Sequence, residues 1–293
     1  MRRAITKKQS KASFILELVV LVLAVGGLMG FLLSTDLFDF PKPEGWVQKS
    51  ILIGGVLVMG IVALGLHELG HLLAGLGQGF QFQLFVVGPL GIKREDDRIK
   101  VYLNKDLGAF GGMAATSPVT DDPANARKFA RLILAGPLAS VVFGGLLLGA
   151  SLLVPTPFNI LLFTGGAISL AVFLATTIPS QTGMFFTDRK RYQRLTTPGK
   201  DQEVELALLR IMGRYAQDNS YRNVALQDIE TMAADDLPFI QFFGLFNLLA
   251  WQQEMRGTMD AATQEQYQAL APEMPKAMVA GLDKELERMR GEG

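Results

Sequence analysis

Only two histidines occur in this chain, at positions 67 and 71, and a glutamate follows the first: His67-Glu68-Leu69-Gly70-His71. On a helix, residues four apart share a face with about 5–6 Å between their Cβ atoms. Two imidazoles so placed can reach one zinc ion at about 2.0–2.1 Å per nitrogen. The residue after the first histidine projects toward the same ion without binding it. A carboxylate there can take a proton from zinc-bound water and later deliver it to a leaving amine. The pattern therefore points to a zinc hydrolase helix, with His67 and His71 as metal ligands and Glu68 as the catalytic residue. The competing reading is a pair of satisfied polar residues in a helix bundle. That reading leaves three ionisable groups to be compensated in a dry environment, because the motif lies inside the apolar stretch Ile51–Leu76.

A catalytic zinc takes three protein ligands and keeps one position open for water. No other histidine and no cysteine exists in the chain, so the third ligand must be a carboxylate. It should emerge at the same end of a neighbouring span. Asp188, in Ile178-Pro179-Ser180-Gln181-Thr182-Gly183-Met184-Phe185-Phe186-Thr187-Asp188, meets both demands. On spacing alone it reads equally well as a solvated loop acid beside Arg189-Lys190-Arg191. Glu17 lies near the start of an apolar span, and Glu95, Asp96 and Asp97 have the look of a hairpin turn, so these are weaker candidates.

The elements that must position these groups are apolar. Four stretches are long enough to cross a bilayer, which needs about 20 helical residues: roughly 14–33, 51–76, 129–154 and 158–178. The first follows the basic leader MRRAITKKQSK, but it is too long for a signal-peptide core and lacks a small-residue cleavage site, so it reads as an uncleaved anchor. Basic residues cluster in the leader, in the segment between the second and third spans, and after the fourth, at Arg189-Lys190-Arg191 and Arg194. All fall on one side if both termini are cytoplasmic. His67 then lies roughly 24 Å along its helix, several ångströms inside the cytoplasmic boundary of a core about 30 Å thick.

Segment 80–112 does not have a helical pattern. FQFQLFVV alternates, and GPLGIKREDDRIKVYL reads as a strand, a charged turn and a returning strand, a membrane-associated β-hairpin expected at the cytoplasmic face beside the end of the second span. Asp121-Asp122-Pro123 starts the third helix. Beyond about residue 199 the periodicity is helical with charged faces. Within that region, 239–251 is apolar but too short to span, and a buried helix is the expectation. The fold class is thus an all-α polytopic membrane protein. Residues 1–50 are expected to form a cytoplasmic leader, anchor span and external loop, 51–195 a membrane core carrying the zinc motif and the hairpin, and 196–293 a helical cytoplasmic domain.

Composition agrees. Of 293 residues 49% are hydrophobic and 19% charged, below the roughly one quarter usual for soluble domains, and mean hydropathy is +0.27. Net charge is zero, so no nucleic-acid partner is indicated.

With these motifs the chain resembles the site-2 protease family of intramembrane zinc metalloproteases. Members carry HExxH in one transmembrane helix and, downstream, an aspartate in an Asn-Pro/Leu-Asp-Gly context as third ligand. Between the two there is often an Ala-Gly-Pro-Leu-Ala-Asn/Ser segment opening another helix. Here these correspond to 67–71, to Ala135-Gly136-Pro137-Leu138-Ala139-Ser140, and to Ile178-Pro179 followed by Thr187-Asp188. The aspartate is followed by Arg189 where the family has glycine, and Thr176-Thr177 replaces the upstream asparagine. The resemblance implies Asp188 as third metal ligand, one zinc per chain, and cleavage of transmembrane protein substrates in regulated intramembrane proteolysis. It also implies the lipid bilayer as environment, here a bacterial cytoplasmic membrane; a regulatory protein at the C-terminal helices is a further possible partner. A non-proteolytic membrane scaffold is the alternative. A metal-ion transporter ranks last, because the third and fourth spans carry no acid.

Overall fold

The structure, a computed structural model, describes residues 45–95, 98–105, 110–155, 158–182 and 185–291. Apart from the isolated helical positions Gly27, Gly30 and Ser34, the expected leader, first span and most of the following loop lie outside the described residues. Three described helices are long and apolar enough to cross a bilayer: α1 (Gly45–Gly77), α2 (Asn125–Ser151) and α3 (Phe158–Thr177). The 20 residues of α3 carry no charge at all, and by rise per residue they cover about 30 Å. In α2 the basic residues Arg127, Lys128 and Arg131 fall in the first two turns, and everything beyond them is uncharged. Ahead of α2, Asp122 accepts the Ala124 amide at 2.8 Å and pairs with Lys128 at 2.9 Å, so the aspartate–proline signal marks the start of the helix.

The region expected to be one hairpin is a four-stranded antiparallel sheet. Its strands are β1 (Gln81–Val87), β2 (Leu90–Glu95), β3 (Arg98–Leu103) and β4 (Met113–Ser117), in the order β3-β2-β1-β4. The expected hairpin is β2 paired with β3 across the 95–98 turn, and two things extend it into a sheet. Gly88-Pro89 is a tight link with positive φ at Gly88, so β1 pairs directly with β2, Val87 opposite Leu90. The short strand β4, whose small side chains give a weak alternating signal, then closes the other flank of β1.

The sheet lies along α1 rather than beyond its end. A turn at Gln78-Gly79 reverses the chain straight after α1, and β1 runs back along the helix until Val87 meets Gly65 and Gly88 meets Ile61. Ile61 lies 16 residues before Gly77, about 24 Å along the helix. The deep turn leaves no backbone amide to chance. The Asn104 side chain donates to the Gly88 carbonyl at 2.9 Å, its amide donates to Pro89 O at 2.8 Å, and Gly88 N–H donates to Phe110 O at 3.1 Å. Such pairing is what backbone in a hydrocarbon environment requires. Leu90, Ile99, Val101 and Leu103 form an exposed apolar face, suited to lipid.

After α3 come two short strands, β5 (Gln181–Thr182) and β6 (Phe185–Phe186), and then helices α4 (Asp188–Thr196), α5 (Lys200–Asp218), α6 (Leu226–Ala233), α7 (Pro238–Arg256), α8 (Ala261–Leu270) and α9 (Lys276–Arg290). As expected for 239–251, α7 is a core helix: Phe242, Leu245, Leu249 and Ala250 are buried, and Tyr267 stacks on Phe242 at 4.5 Å between ring centroids. A second apolar cluster of Phe80, Phe129, Leu132, Ile133, Leu195 and Leu209 joins α5 and α4 to the charged end of α2.

Candidate metal centre

His67 and His71 sit one turn apart on α1, 4% and 8% exposed, with their Nε2 atoms 3.3 Å from each other. Asp188, the first residue of α4, reaches across from the far end of the core. Its Oδ2 lies 3.1 Å from His67 Nε2 and its Oδ1 3.3 Å from His71 Nε2. Three ligand atoms of a tetrahedral zinc with bonds of about 2.0–2.1 Å stand about 3.3–3.4 Å apart. The observed separations therefore match one face of that tetrahedron. Oδ2 of Asp188 is buried and has no hydrogen-bond donor among the described residues, as suits an atom that binds a cation.

The outer nitrogens fix the rings. His71 Nδ1 donates to the Leu132 carbonyl at 2.8 Å. A carbonyl can only accept, so in the neutral ring the proton sits on Nδ1 and the Nε2 lone pair faces the carboxylate. His67 Nδ1 lies 2.9 Å from Ser140 Oγ, a fully buried hydroxyl on α2. The Nε2 atoms of two imidazoles and the oxygens of a carboxylate thus converge on one point, a donor set that suits a divalent ion. The residues present fit zinc.

The Ala-Gly-Pro segment of α2 makes this approach possible. A Cβ on Gly136 would lie 2.2 Å from His71 Nε2, and one on Gly70 would lie 2.7 Å from the Ala135 carbonyl. Pro137 cannot donate to the carbonyl four residues back and crowds it; Leu132, whose carbonyl holds His71, belongs to the same loosened turn. Glu68 is not one of the three converging residues. Its carboxylate accepts the Ala114 amide of β4, close enough to interact with His67, His71 and Asp188. A Cβ on Gly112 (φ +103°) would lie 2.8 Å from Glu68 Cγ, so glycine there admits the side chain.

Asp188 owes its position to a helix start. Thr187 caps α4, its Oγ1 accepting from Lys190 N, and the same hydroxyl donates to the Ile178 carbonyl at 2.8 Å and accepts from Ser180 N at 3.0 Å. Arg189 is helical and needs no left-handed backbone, so the absent glycine leaves the aspartate free to reach the site. A carboxylate in the first turn also suits the helix dipole.

All four sequence-derived residues, His67, Glu68, His71 and Asp188, are brought to one place. Glu95 is instead paired with Lys93 and Lys100 at the sheet's charged turn, and Glu17, Asp96 and Asp97 lie outside the described residues. Sequence reasoning marked Gly136 and Ser140 within the Ala-Gly-Pro segment but gave them no role, and it did not find the Leu132 carbonyl or Gly112. The signal for the first two was their place in that segment, four residues apart on one face of a helix. The model of peptidase family M50 matches residues 54–284. No curated protein and no solved structure matches the chain.

Proposed function

The chain belongs to peptidase family M50, the site-2 protease family, and on that premise we propose that it is an intramembrane zinc endopeptidase in which His67, His71 and Asp188 hold one zinc ion and Glu68 is the acid–base residue. The observation that carries the reading is the convergence of two imidazole nitrogens and a carboxylate from residues 117 or more positions apart, at tetrahedral spacing.

Bound there, zinc would supply Lewis acidity, lowering the pKa of a water molecule and polarising a peptide carbonyl. The chain's own groups do the rest. Glu68, held by the Ala114 amide on β4, takes the proton of the attacking water and passes it to the leaving nitrogen. Ser140 and the Leu132 carbonyl keep the imidazoles in the tautomer and orientation that ligation needs. The substrates are transmembrane segments of other proteins. Their backbone amides must first be released from helical hydrogen bonds, so glycine- or proline-weakened segments are preferred.

In this reading residues 51–195 are the membrane core, 196–293 form a domain on the cytoplasmic side, and both termini are cytoplasmic. Cleavage releases a regulatory factor, and the C-terminal helices receive the controlling partner. The scaffold alternative drew its force from Asp188-Arg189, and the helical start of α4 accounts for that departure.

The test is cleavage of a model transmembrane substrate by purified protein. Wild type should cut, stop on chelation and recover with added zinc. Glu68→Gln should keep its zinc and lose roughly 10²–10⁴ in rate. Cutting by Glu68→Gln at the wild-type rate would refute the assignment; zinc-loaded wild type that never cuts would favour the scaffold.

A further inference from the structure

The nine-residue helix α4 carries the third ligand, and it is too short to hold itself, since isolated helices shorter than about 12–15 residues are marginal in water. Its position is therefore set by what grips it. Thr187 ties the first turn to Ile178 and Ser180. The last turn is gripped by the C-terminal helices. Arg194, only 3% exposed at its side chain, spreads its guanidinium over three carboxylates: Nη1 lies 2.9 Å from Asp201 Oδ1, Nε 3.0 Å from Glu205 Oε1, and Nη2 3.5 Å from Asp235 Oδ2. Asp201 and Glu205 are on α5, and Asp235 is in the link between α6 and α7. The same guanidinium sits 4.9 Å over the ring of Phe186, two residues before Asp188. Arg191 adds a weaker contact to Glu205 at 3.7 Å and lies over Phe129 of α2 at 4.9 Å.

Arg194 stands six residues, about 9 Å, from Asp188 along one rigid helix. We propose that Arg194 is a positioning residue for the metal centre, fastening α4 and Phe186 to the carboxylates of the C-terminal helices so that docking of those helices sets Asp188 against His67 and His71. This rests on the reading of Asp188 as third ligand. It gives the C-terminal segment a part in assembling the centre, and a route by which a partner bound to those helices changes zinc occupancy. Arginine suits the task because its planar fork presents separate nitrogens to separate carboxylates, whereas a lysine ammonium offers a single point.

The experiment measures zinc affinity by chelator competition, ligand-field absorption of the cobalt-substituted protein, and thermal unfolding, all on the full-length chain. The variants are Arg194→Met, Arg194→Lys, Glu205→Gln, Asp235→Asn and, as reference, Asp188→Ala. The two carboxamide variants keep shape and remain informative if Arg194→Met does not fold. Zinc affinity should fall 10–100-fold in Glu205→Gln and Asp235→Asn, the scale on which groups supporting metal ligands act. The cobalt spectrum should shift toward that of Asp188→Ala, and Arg194→Lys should recover only part of the loss. Lowered melting temperature with unchanged zinc affinity and cobalt spectrum would show a merely structural cluster and overturn the proposal. Unchanged affinity in Asp188→Ala itself would overturn the ligand assignment, and the proposal with it.

Discussion

Replacing Gly136 by alanine adds a single methyl group, and the geometry says where it goes. The new Cβ would lie 2.2 Å from His71 Nε2, 2.4 Å from Cε1 and 2.7 Å from Cδ2, all on the ring edge that faces the metal position. Ordinary van der Waals contact begins near 3.4 Å, so ring and helix must part by about 1.2 Å. The ring cannot swing aside cheaply. Its Nδ1 is held by the Leu132 carbonyl at 2.8 Å, and its backbone is pressed against Ala135 and Ala139 through Gly70. A bond of about 2.0–2.1 Å does not survive a displacement of that size. Zinc affinity should fall at least 10–100-fold, about 1.4–2.7 kcal/mol, and cleavage should fall by a further factor of about 10² because the remaining ligands are misplaced. Gly145, on the same helix, is the control: among the described residues nothing lies within 4 Å of its Cβ position. Gly145→Ala should bind zinc and cut as wild type does, and gain up to about 1 kcal/mol of helix stability. Chelator competition and the cleavage assay read both variants side by side. A Gly136→Ala protein with zinc affinity within twofold of wild type would refute the claim that His71 ligates from this position.

Two more outcomes follow from the same contacts. Ser140→Ala removes the hydroxyl facing His67 Nδ1 and should weaken zinc binding about tenfold with little change in melting temperature; titration of the variant with zinc decides, and wild-type affinity would mean the hydroxyl does not orient the ring. Phe242→Ala empties the centre of the C-terminal core, where Phe242 is fully buried and stacked on Tyr267. Denaturant unfolding of that region should lose about 3–5 kcal/mol, and a loss under 1 kcal/mol would show that α7 is not the core helix described.

How much of this was legible beforehand depended on distance along the chain. His67, Glu68 and His71 lie within one and a half turns, and their common face follows from helix geometry alone. Three of the four expected spans were legible as long uncharged runs, and the buried nature of α7 because its apolar run, 239–251, is too short to cross. Asp188 was different. Spacing left it level with a solvated loop acid, and family resemblance favoured it. Its place depends on α4, which Thr187 caps at one end and Arg194 ties to Glu205 at the other. The four-stranded sheet was missed for a related reason, since Met113–Ser117 becomes a strand by pairing with β1 rather than by any propensity of its own.

The sequence by itself determined that a helix with metal-ligand spacing sits in an apolar stretch, because types and spacings within a few residues fix which side chains share a face. Tertiary structure alone decided which carboxylate closes the site, which hydroxyl and carbonyl turn the imidazoles, and which glycines let them approach. Those choices rest on contacts between residues 61 to 121 positions apart. Many small or acidic residues of the chain suit such roles equally well until packing brings a few of them within 3.5 Å of the histidines.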